Sequence, residues 1–355
     1  MSIIKLLPIC IFLPVLAYFF HPKFGCDPKG KRLERIKLSR NYKNDRFVNI
    51  QPFVVTQKRP VLKTLCKLIK RRTKCDVVIP STKTDLGALD LSENVLVWFG
   101  HSSYFIQISQ KRIIVDPVLS KVSSPIPCFP QAFQGSTVYK PNDIPHVDYV
   151  IITHDHWDHL DYRTITKLNF GKIICPLGVG AHLERFGIPE QNIIEMDWDE
   201  CINIDDFKFY CLTTRHWSRR GSHQNKTLWA SFLVEAPNSF KTFIGGDGGY
   251  GPHFSEIGRK FGEIDLAILE NGQYNKNWTQ NHMHPQEVAR AAEELNAKTL
   301  LPVHYAKFSL STHKWNEPVQ RICDISRNRK YRLITPMIGE KVELMNKDQT
   351  FSNWW

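Results

Sequence analysis

The nine residues Thr153-His154-Asp155-His156-Trp157-Asp158-His159-Leu160-Asp161 carry three imidazoles and three carboxylates, directly after the apolar run Val147-Asp148-Tyr149-Val150-Ile151-Ile152. That order limits the fold, because a strand has to end in a tight loop that aims several polar side chains at one point. Residues two apart on extended backbone point the same way, so His154 and His156 can share one cation. After the chain turns, Asp158 and His159 can face a second. Zn²⁺ and similar borderline-soft ions take neutral imidazole and carboxylate ligands. A solvated loop would supply one or two of these histidines, but not this spacing. The segment reads as half of a two-metal hydrolytic site.

With 355 residues and 42% apolar content, the chain can bury a large core, and the order of its motifs favours one catalytic unit over two. Its nine cysteines are spread singly, with no Cys-x-x-Cys pair and an odd total. This argues against a disulfide scaffold and against a structural zinc knuckle. The net charge of +12 is local: residues 23–74 hold 17 Lys or Arg against Asp27, Glu34 and Asp45. Before them, Ile3 to Phe20 is apolar apart from Lys5, Pro8 and Pro14. That length is at the short end of a membrane span, and no small-residue cleavage site follows it.

An uncleaved membrane anchor is therefore expected, with a cleaved export signal as the alternative. One positive charge before the apolar run and many after it put the catalytic body on the cytoplasmic side. Clustered Lys and Arg beside a span hold anionic headgroups. A nucleic-acid-binding arm or a solvated linker would share that composition, but adjacency to the apolar run favours a membrane surface over nucleic acid. The expected organisation is an anchor or signal segment over 1–22, a basic arm over 23–74 and a catalytic domain over 75–355.

Within the arm, Val61 to Arg72 has the apolar spacing of a short amphipathic helix. From Val95 the pattern changes to short β-branched runs, Val95–Phe99, Tyr104–Ile108 and Arg112–Val115, leading towards the histidine-rich loop. The proline-rich stretch Ser123–Pro145 cannot be regular structure and reads as an ordered loop rimming a pocket. Beyond it, strands expected at Ile173–Cys175, Ile193–Met196, Phe207–Thr213, Leu228–Glu235, Lys241–Ile244, Ile264–Leu269 and Thr299–Val303 alternate with helices at Gly180–Phe186 and Glu287–Leu295. This mixed order fits a sheet sandwich with outer helices. His216, Asp247 and His304 each follow an apolar run, where loops on a rigid scaffold collect into a site.

His154-x-His156-x-Asp158-His159 followed by Leu160-Asp161 resembles the signature of the metallo-β-lactamase superfamily. The stretches Trp98-Phe99-Gly100-His101-Ser102-Ser103-Tyr104, Asp116-Pro117-Val118, Arg215-His216-Trp217-Ser218, Gly246-Asp247-Gly248-Gly249-Tyr250, His282-Met283-His284-Pro285-Gln286-Glu287 and Pro302-Val303-His304 resemble, in order, the blocks of its N-acyl-phosphatidylethanolamine phospholipase D branch. The resemblance runs from about Phe24 to about Pro318. It implies an α+β fold, the four-layer αββα sandwich, with two divalent metals, zinc by expectation, at one edge of the two sheets. By it, His216 completes a first metal site with His154 and His156, Asp247 bridges, and His304 joins Asp158 and His159 on the second. Asp158 counts among the catalytic groups as well. The branch also places the first histidine of its His-x-x-Pro-x-Glu block near the substrate. Here that block reads His282-Met283-His284-Pro285, so His282 and His284 both stand as candidates to assist the leaving group. His101 is expected to brace a ligand loop, and Trp217, Arg219 and Arg220 to line the pocket.

The reading that follows is a membrane-associated, dinuclear-metal hydrolase, a phospholipase D-type phosphodiesterase acting on N-acyl-phosphatidylethanolamine or a related phospholipid. Two nearby divalent ions lower the pKa of bound water and neutralise charge on a phosphoryl oxygen. A lactone, amide or thioester hydrolase keeps the metals and changes the substrate. A nucleic-acid-binding or nuclease-type member is the third reading. Native metal, acyl preference and oligomeric state stay open at this level.

Overall fold

The structure, a computed structural model, describes residues 18–51, 77–127, 129–221 and 223–355. Most of the anchor segment and the helix expected over Val61–Arg72 lie outside the described residues. The described N-terminal part holds a helix, α1 (Gly30–Leu38), and a small hairpin, β1 (Tyr42–Lys43) and β2 (Arg46–Phe47). Two seven-stranded sheets follow. The first contains β3 (Val95–Trp98), β4 (Tyr104–Ile108), β5 (Lys111–Val115), β6 (Val147–Ile151), β7 (Phe170–Pro176) and β8 (Ile193–Met196), and is completed by β16 (Lys341–Glu343) beside β3. The second contains β9 (Cys201–Ile204), β10 (Phe207–Leu212), β11 (Ser231–Glu235), β12 (Lys241–Ile244), β13 (Ile264–Glu270), β14 (Ala297–Val303) and β15 (Arg332–Leu333).

The two sheets share one plan. Neighbouring strands are antiparallel from β3 to β5 and from β9 to β12, then parallel from β5 to β8 and from β12 to β15. Parallel neighbours need crossovers, which helices supply except between β5 and β6, where the described residues hold only a short 3₁₀ helix at Pro141–Asp143. The first sheet carries α2 (Tyr162–Ile165) and α3 (Val179–Arg185). The second carries α4 (His253–Phe261), α5 (Pro285–Glu294) and α6 (Glu317–Ser326). Antiparallel neighbours need only tight turns. Ser109-Gln110 joins β4 to β5 and Asp205-Asp206 joins β9 to β10, all four residues with positive φ, as two-residue hairpin loops of the primed type require.

Side-chain alternation sorts the strands into layers. On β3, Leu96 and Trp98 face the core between the sheets while Val95 and Val97 face α2 and α3. On β13, Leu266 and Ile268 face that central core while Ala267 and Leu269 pack beneath α4 and α5. The result is three buried apolar layers and four layers of structure, the αββα order expected. Removing a fully buried aromatic from the central layer, such as Trp98, is worth about 3–5 kcal/mol.

Some expectations shift. The strand expected from Leu228 begins only at Ser231, because the backbone of Leu228 and Ala230 bonds to Leu177 and Thr153 of the first sheet's loops instead of a ladder. Strands β9, β15 and β16 and helices α4 and α6 were not foreseen by periodicity. The described part of the basic arm lies against the body. Ile36 of α1 and Phe47 of β2 are fully buried in the central core, and Arg32 bridges Glu184 at 2.7 Å and Glu195 at 2.5 Å. Arg35 pairs with Glu200 at 3.0 Å, and Arg40 pairs with Asp199. These guanidinium groups face the acids of the body. Among the described residues, no helix is long and apolar enough to cross a membrane.

Candidate metal centre

Strand direction decides which loops meet. Because β4 runs antiparallel to both β3 and β5, and β11 to both β10 and β12, the strands β3, β5 and β6 share one direction, and β10, β12, β13 and β14 share another. Their C-terminal ends carry, in chain order, His101, Asp116, the Thr153–Asp161 loop, His216, Asp247, Glu270 and His304. The reversed strands β4 and β11 bring none of these groups.

The seven expected ligands converge in two groups. The side chains of His154, His156, His216 and Asp247 offer ligand atoms that all lie within 4.8 Å of one another, as do those of His101, Asp158, His159 and His304. In the first group, His156 Nδ1 lies 2.9 Å from His154 Nε2 and 3.2 Å from His216 Nε2. Asp247 lies between the groups: its Oδ2 is 3.9 Å from His216 Nε2 and 3.2 Å from His159 Nε2, and its Oδ1 is 3.2 Å from His304 Nδ1. Gly246 adopts φ 60° to deliver that carboxylate, a conformation glycine takes without steric cost. A side chain on Gly248 would run into the hydroxyl of Thr214.

The donor chemistry fits divalent cations. Burial holds His154, His216 and His304 well below the ordinary imidazole range, and His156 at about 4. Neutral rings whose nitrogens crowd within about 3 Å cannot all satisfy one another. Two of the converging atoms, His159 Nε2 and Asp247 Oδ1, are buried without a hydrogen-bond partner. Each such group costs about 1–3 kcal/mol when left unpaired, a cost that converging lone pairs on a zinc-like ion would remove. His159 behaves differently. Burial opposes its proton, but Asp247, Asp158 and Asp116 outweigh burial and raise it well above the usual range. Burial pushes Asp247 up to about 6. Burial also acts upward on Asp158, but His159 and His101 hold it below the ordinary carboxylate range. The carboxylates of this pocket therefore call for positive charge.

A layer of partners fixes the candidates. Asp116 accepts from Thr153 through its backbone N–H (2.8 Å) and hydroxyl (2.6 Å), and its Oδ2 lies 2.8 Å from His159 Nδ1. His101 Nε2 lies 2.9 Å from Asp158 Oδ2, and the backbones of the two loops pair, with His304 N–H donating to His101 C=O at 2.8 Å. Both histidines sit at positive φ, 54° and 71°, strain that persists only where surroundings enforce it. Lys307, whose pKa burial lowers to about 7, donates to the carbonyls of Phe99 and Val118 and so ties the loops after β3 and β5 together.

The remaining candidates separate. His282 lies beside the centre, its Nδ1 2.5 Å from Glu270 Oε2 and 4.0 Å from Asp247 Oδ2, its ring stacked on His304. His284 lies outside the ligand groups. It is the N-cap of α5, with Glu287 accepting from its backbone N–H at 2.8 Å and Pro285 in the first turn. Trp217 packs edge-on against His156 at 4.4 Å. Arg219 is exposed and lines a cavity of about 880 Å³ that opens from His156 and Asp158. Arg220 is buried under Trp157, its guanidinium 4.1 Å from the ring centroid, and donates to the carbonyls of Asp155, Leu160 and Lys23. It braces the loop. Glu270 escaped the sequence reading, although it closes an apolar run in the same way as Asp247 and His304. Asp116 stood in a quoted block without being assigned a role. The pair Asp155–His182, 3.2 Å apart, left no local signal.

Residues 111–305 match the Beta-lactamase superfamily domain. An uncharacterised protein of Mycobacterium tuberculosis is 34% identical over 328 residues, 89% of this chain and 87% of its own. The N-acyl-phosphatidylethanolamine-hydrolyzing phospholipase D 1 of Caenorhabditis elegans is 27% identical over 80% of this chain and 87% of its own. Among solved structures, the isothiocyanate hydrolase from Delia radicum gut bacteria superposes with a TM-score of 0.56 at 16% identity, over 70% of this chain and 98% of that one, a likeness of fold.

Proposed function

Because the chain belongs to the β-lactamase superfamily of metal-dependent hydrolases, in its N-acyl-phosphatidylethanolamine phospholipase D-like branch, we propose that it is a phospholipase D-type phosphodiesterase that cleaves an N-acylated phospholipid into phosphatidic acid and an N-acylethanolamine. The observation that carries this reading is a continuity: the cavity that starts at His156 and Asp158 is walled by Phe24, Trp157 and Trp217 and bordered by Arg219. Such a space suits a charged phosphate next to an apolar chain. Two divalent ions held by His154, His156, His216, Asp158, His159, His304 and Asp247 would supply an acidified water and charge neutralisation at the phosphoryl oxygens.

The chain's own groups set the rest of the reaction. Water oxygen bonds to phosphorus, the P–O bond to the ethanolamine breaks, and the departing alkoxide needs a proton. His282, its Nδ1–H held by Glu270, accepts the attacking water's proton at Nε2 and passes it to that alkoxide. His101 keeps Asp158 ionised and in place. Arg219 meets the phosphate's charge at the rim. The work is done at a membrane surface, with the apolar run that begins at Ile3 and precedes Tyr18 as the tether, and exposed Lys29, Lys31 and Lys37 of the arm towards anionic headgroups. Purified full-length protein incubated with zinc and N-acyl-phosphatidylethanolamine vesicles is expected to release both products in equal amounts. Hydrolysis of a lactone or thioester, with neither lipid product formed, would overturn the phosphodiester reading.

A further inference from the structure

We propose that residues Tyr18–Asp27, which the sequence divides between an anchor and a basic linker, form a built-in wall of the active-site cavity that binds a long acyl chain of the lipid. The inference rests on the phosphodiester reading for its substrate, but not for its geometry. Phe19 and Phe24 line the cavity of about 880 Å³ together with Pro125, Trp157 and Trp217, and His156 stands at its inner end. The volume lies in the range of roughly 300–1,000 Å³ typical of ligand clefts. Its walls on this side are aromatic, and aromatic faces offer an alkyl chain a large contact area with few polar groups to desolvate.

The segment is fastened to the metal-ligand loop rather than laid across it. Cys26 N–H donates to His182 Nδ1 at 3.1 Å, and the other nitrogen of that ring lies 3.2 Å from Asp155 Oδ2. Asp155 stands between His154 and His156. Arg220 makes a second fastening, donating to the carbonyl of Lys23 at 2.9 Å and to those of Asp155 and Leu160 at 3.1 and 2.7 Å. Between these links the chain passes so close to His182 that a side chain on Gly25, at φ 68°, would run into that ring. Phe24 then meets Trp157 edge-on at 5.5 Å. Phe19 and its neighbour Phe20 keep 61% and 68% of their surface exposed, a costly placement for two phenylalanines unless apolar material covers them. An acyl chain that enters past Phe19 and lies along Phe24 and Trp157 brings its headgroup to His156 and Asp158.

The test uses the full chain with zinc, an N-palmitoyl substrate and a short soluble phosphodiester, together with hexadecylphosphocholine as a ligand that reports alkyl binding through tryptophan fluorescence. Phe24→Ala is expected to lower the ratio of kcat/KM for the long substrate over the short one by about tenfold or more, and to weaken hexadecylphosphocholine binding in parallel. Phe24→Leu is expected to retain most of both. Phe19→Ala, at an exposed position that cannot unfold the chain, is expected to shift both readouts the same way by about threefold. The proposal is overturned if both variants leave the ratio and the alkyl affinity at wild-type values, or if wild-type protein does not bind hexadecylphosphocholine. Should wild-type protein cleave no phosphodiester yet bind the alkyl ligand, and lose it in Phe24→Ala, the substrate reading fails and the wall stands.

Discussion

The Thr153–Asp161 loop and the N-terminal stretch Tyr18–Gln51 contribute to the same cavity by opposite means. The loop works through what its residues are: three imidazoles and three carboxylates that have few other uses at a strand end. The N-terminal stretch works through what its residues touch. Lys23 serves through a carbonyl oxygen, Cys26 through a backbone N–H, and Arg32 through Glu184 and Glu195 more than 150 positions away. Chemistry written into residue types can be read without a fold. Chemistry written into contacts cannot.

That contrast can be broken or sharpened by experiment. The largest effect is expected at the loop and its partners: His154→Ala or Asp247→Ala should lower kcat by about 10³-fold or more and reduce bound zinc per chain by elemental analysis. Undiminished metal in both variants would refute the ligand assignment. Next come the two histidines that sequence left equal. His282→Ala should lower kcat by about 10²-fold. His284→Ala should leave kcat within a few-fold, and since the bond to Glu287 comes from the backbone N–H it should change stability by less than about 0.5 kcal/mol, so equal kinetic losses would contradict the roles assigned from their positions.

The fastening between the two regions is expected to weigh less. Arg220→Met removes donors to three carbonyls and should cost about 2 kcal/mol of stability in denaturant. It should also make residues 18–29 more susceptible to limited proteolysis, and unchanged cleavage there would show that Arg220 does not hold the stretch down. A buried histidine outside both regions supplies a control. Burial and Arg215 lower His253 to about 4, below its unfolded value, so its neutral form stabilises the fold fully above about pH 6.5. That contribution is lost as pH falls from there towards 4. The melting temperature should drop over this interval, and less so in His253→Phe. Smallest of all, the exposed pair Arg35–Glu200 should show a coupling below about 1 kcal/mol in a double-mutant cycle. A larger value would mean that the arm is held by charge and not by Ile36 and Phe47.

Much of the scaffold was legible in the sequence because both sheets rest on simple alternation. Ile193–Met196 and Lys241–Ile244 have the expected limits, and the three apolar layers follow from residues such as Val95 to Trp98. The gathering of the seven candidate ligands is legible in part, since their loops follow apolar runs, but Glu270 shares that signal without belonging to any motif. Helix α1 was hidden by its own charges. Leu33 and Ile36 are an i, i+3 apolar pair set among Lys31, Arg32, Arg35 and Lys37, a pattern equally suited to a solvated arm until the acids of the body are in place. His282 and His284 differ by two positions in sequence, yet one stands over Asp247 and the other caps a helix. That distinction depends on Glu270, whose carboxylate lies 2.5 Å from His282 Nδ1, a contact that no local pattern specifies.

The common direction of the ligand-bearing strands has a practical consequence for anyone wishing to handle this protein. The hairpin turns Ser109-Gln110 and Asp205-Asp206 lie at the opposite ends of those strands, a full strand length from any candidate ligand. A tether, dye or affinity peptide spliced into either turn would leave the reactive edge facing outward. Immobilised on a bead by that side, the protein would present the cavity beside His156 and Asp158 to substrates in solution.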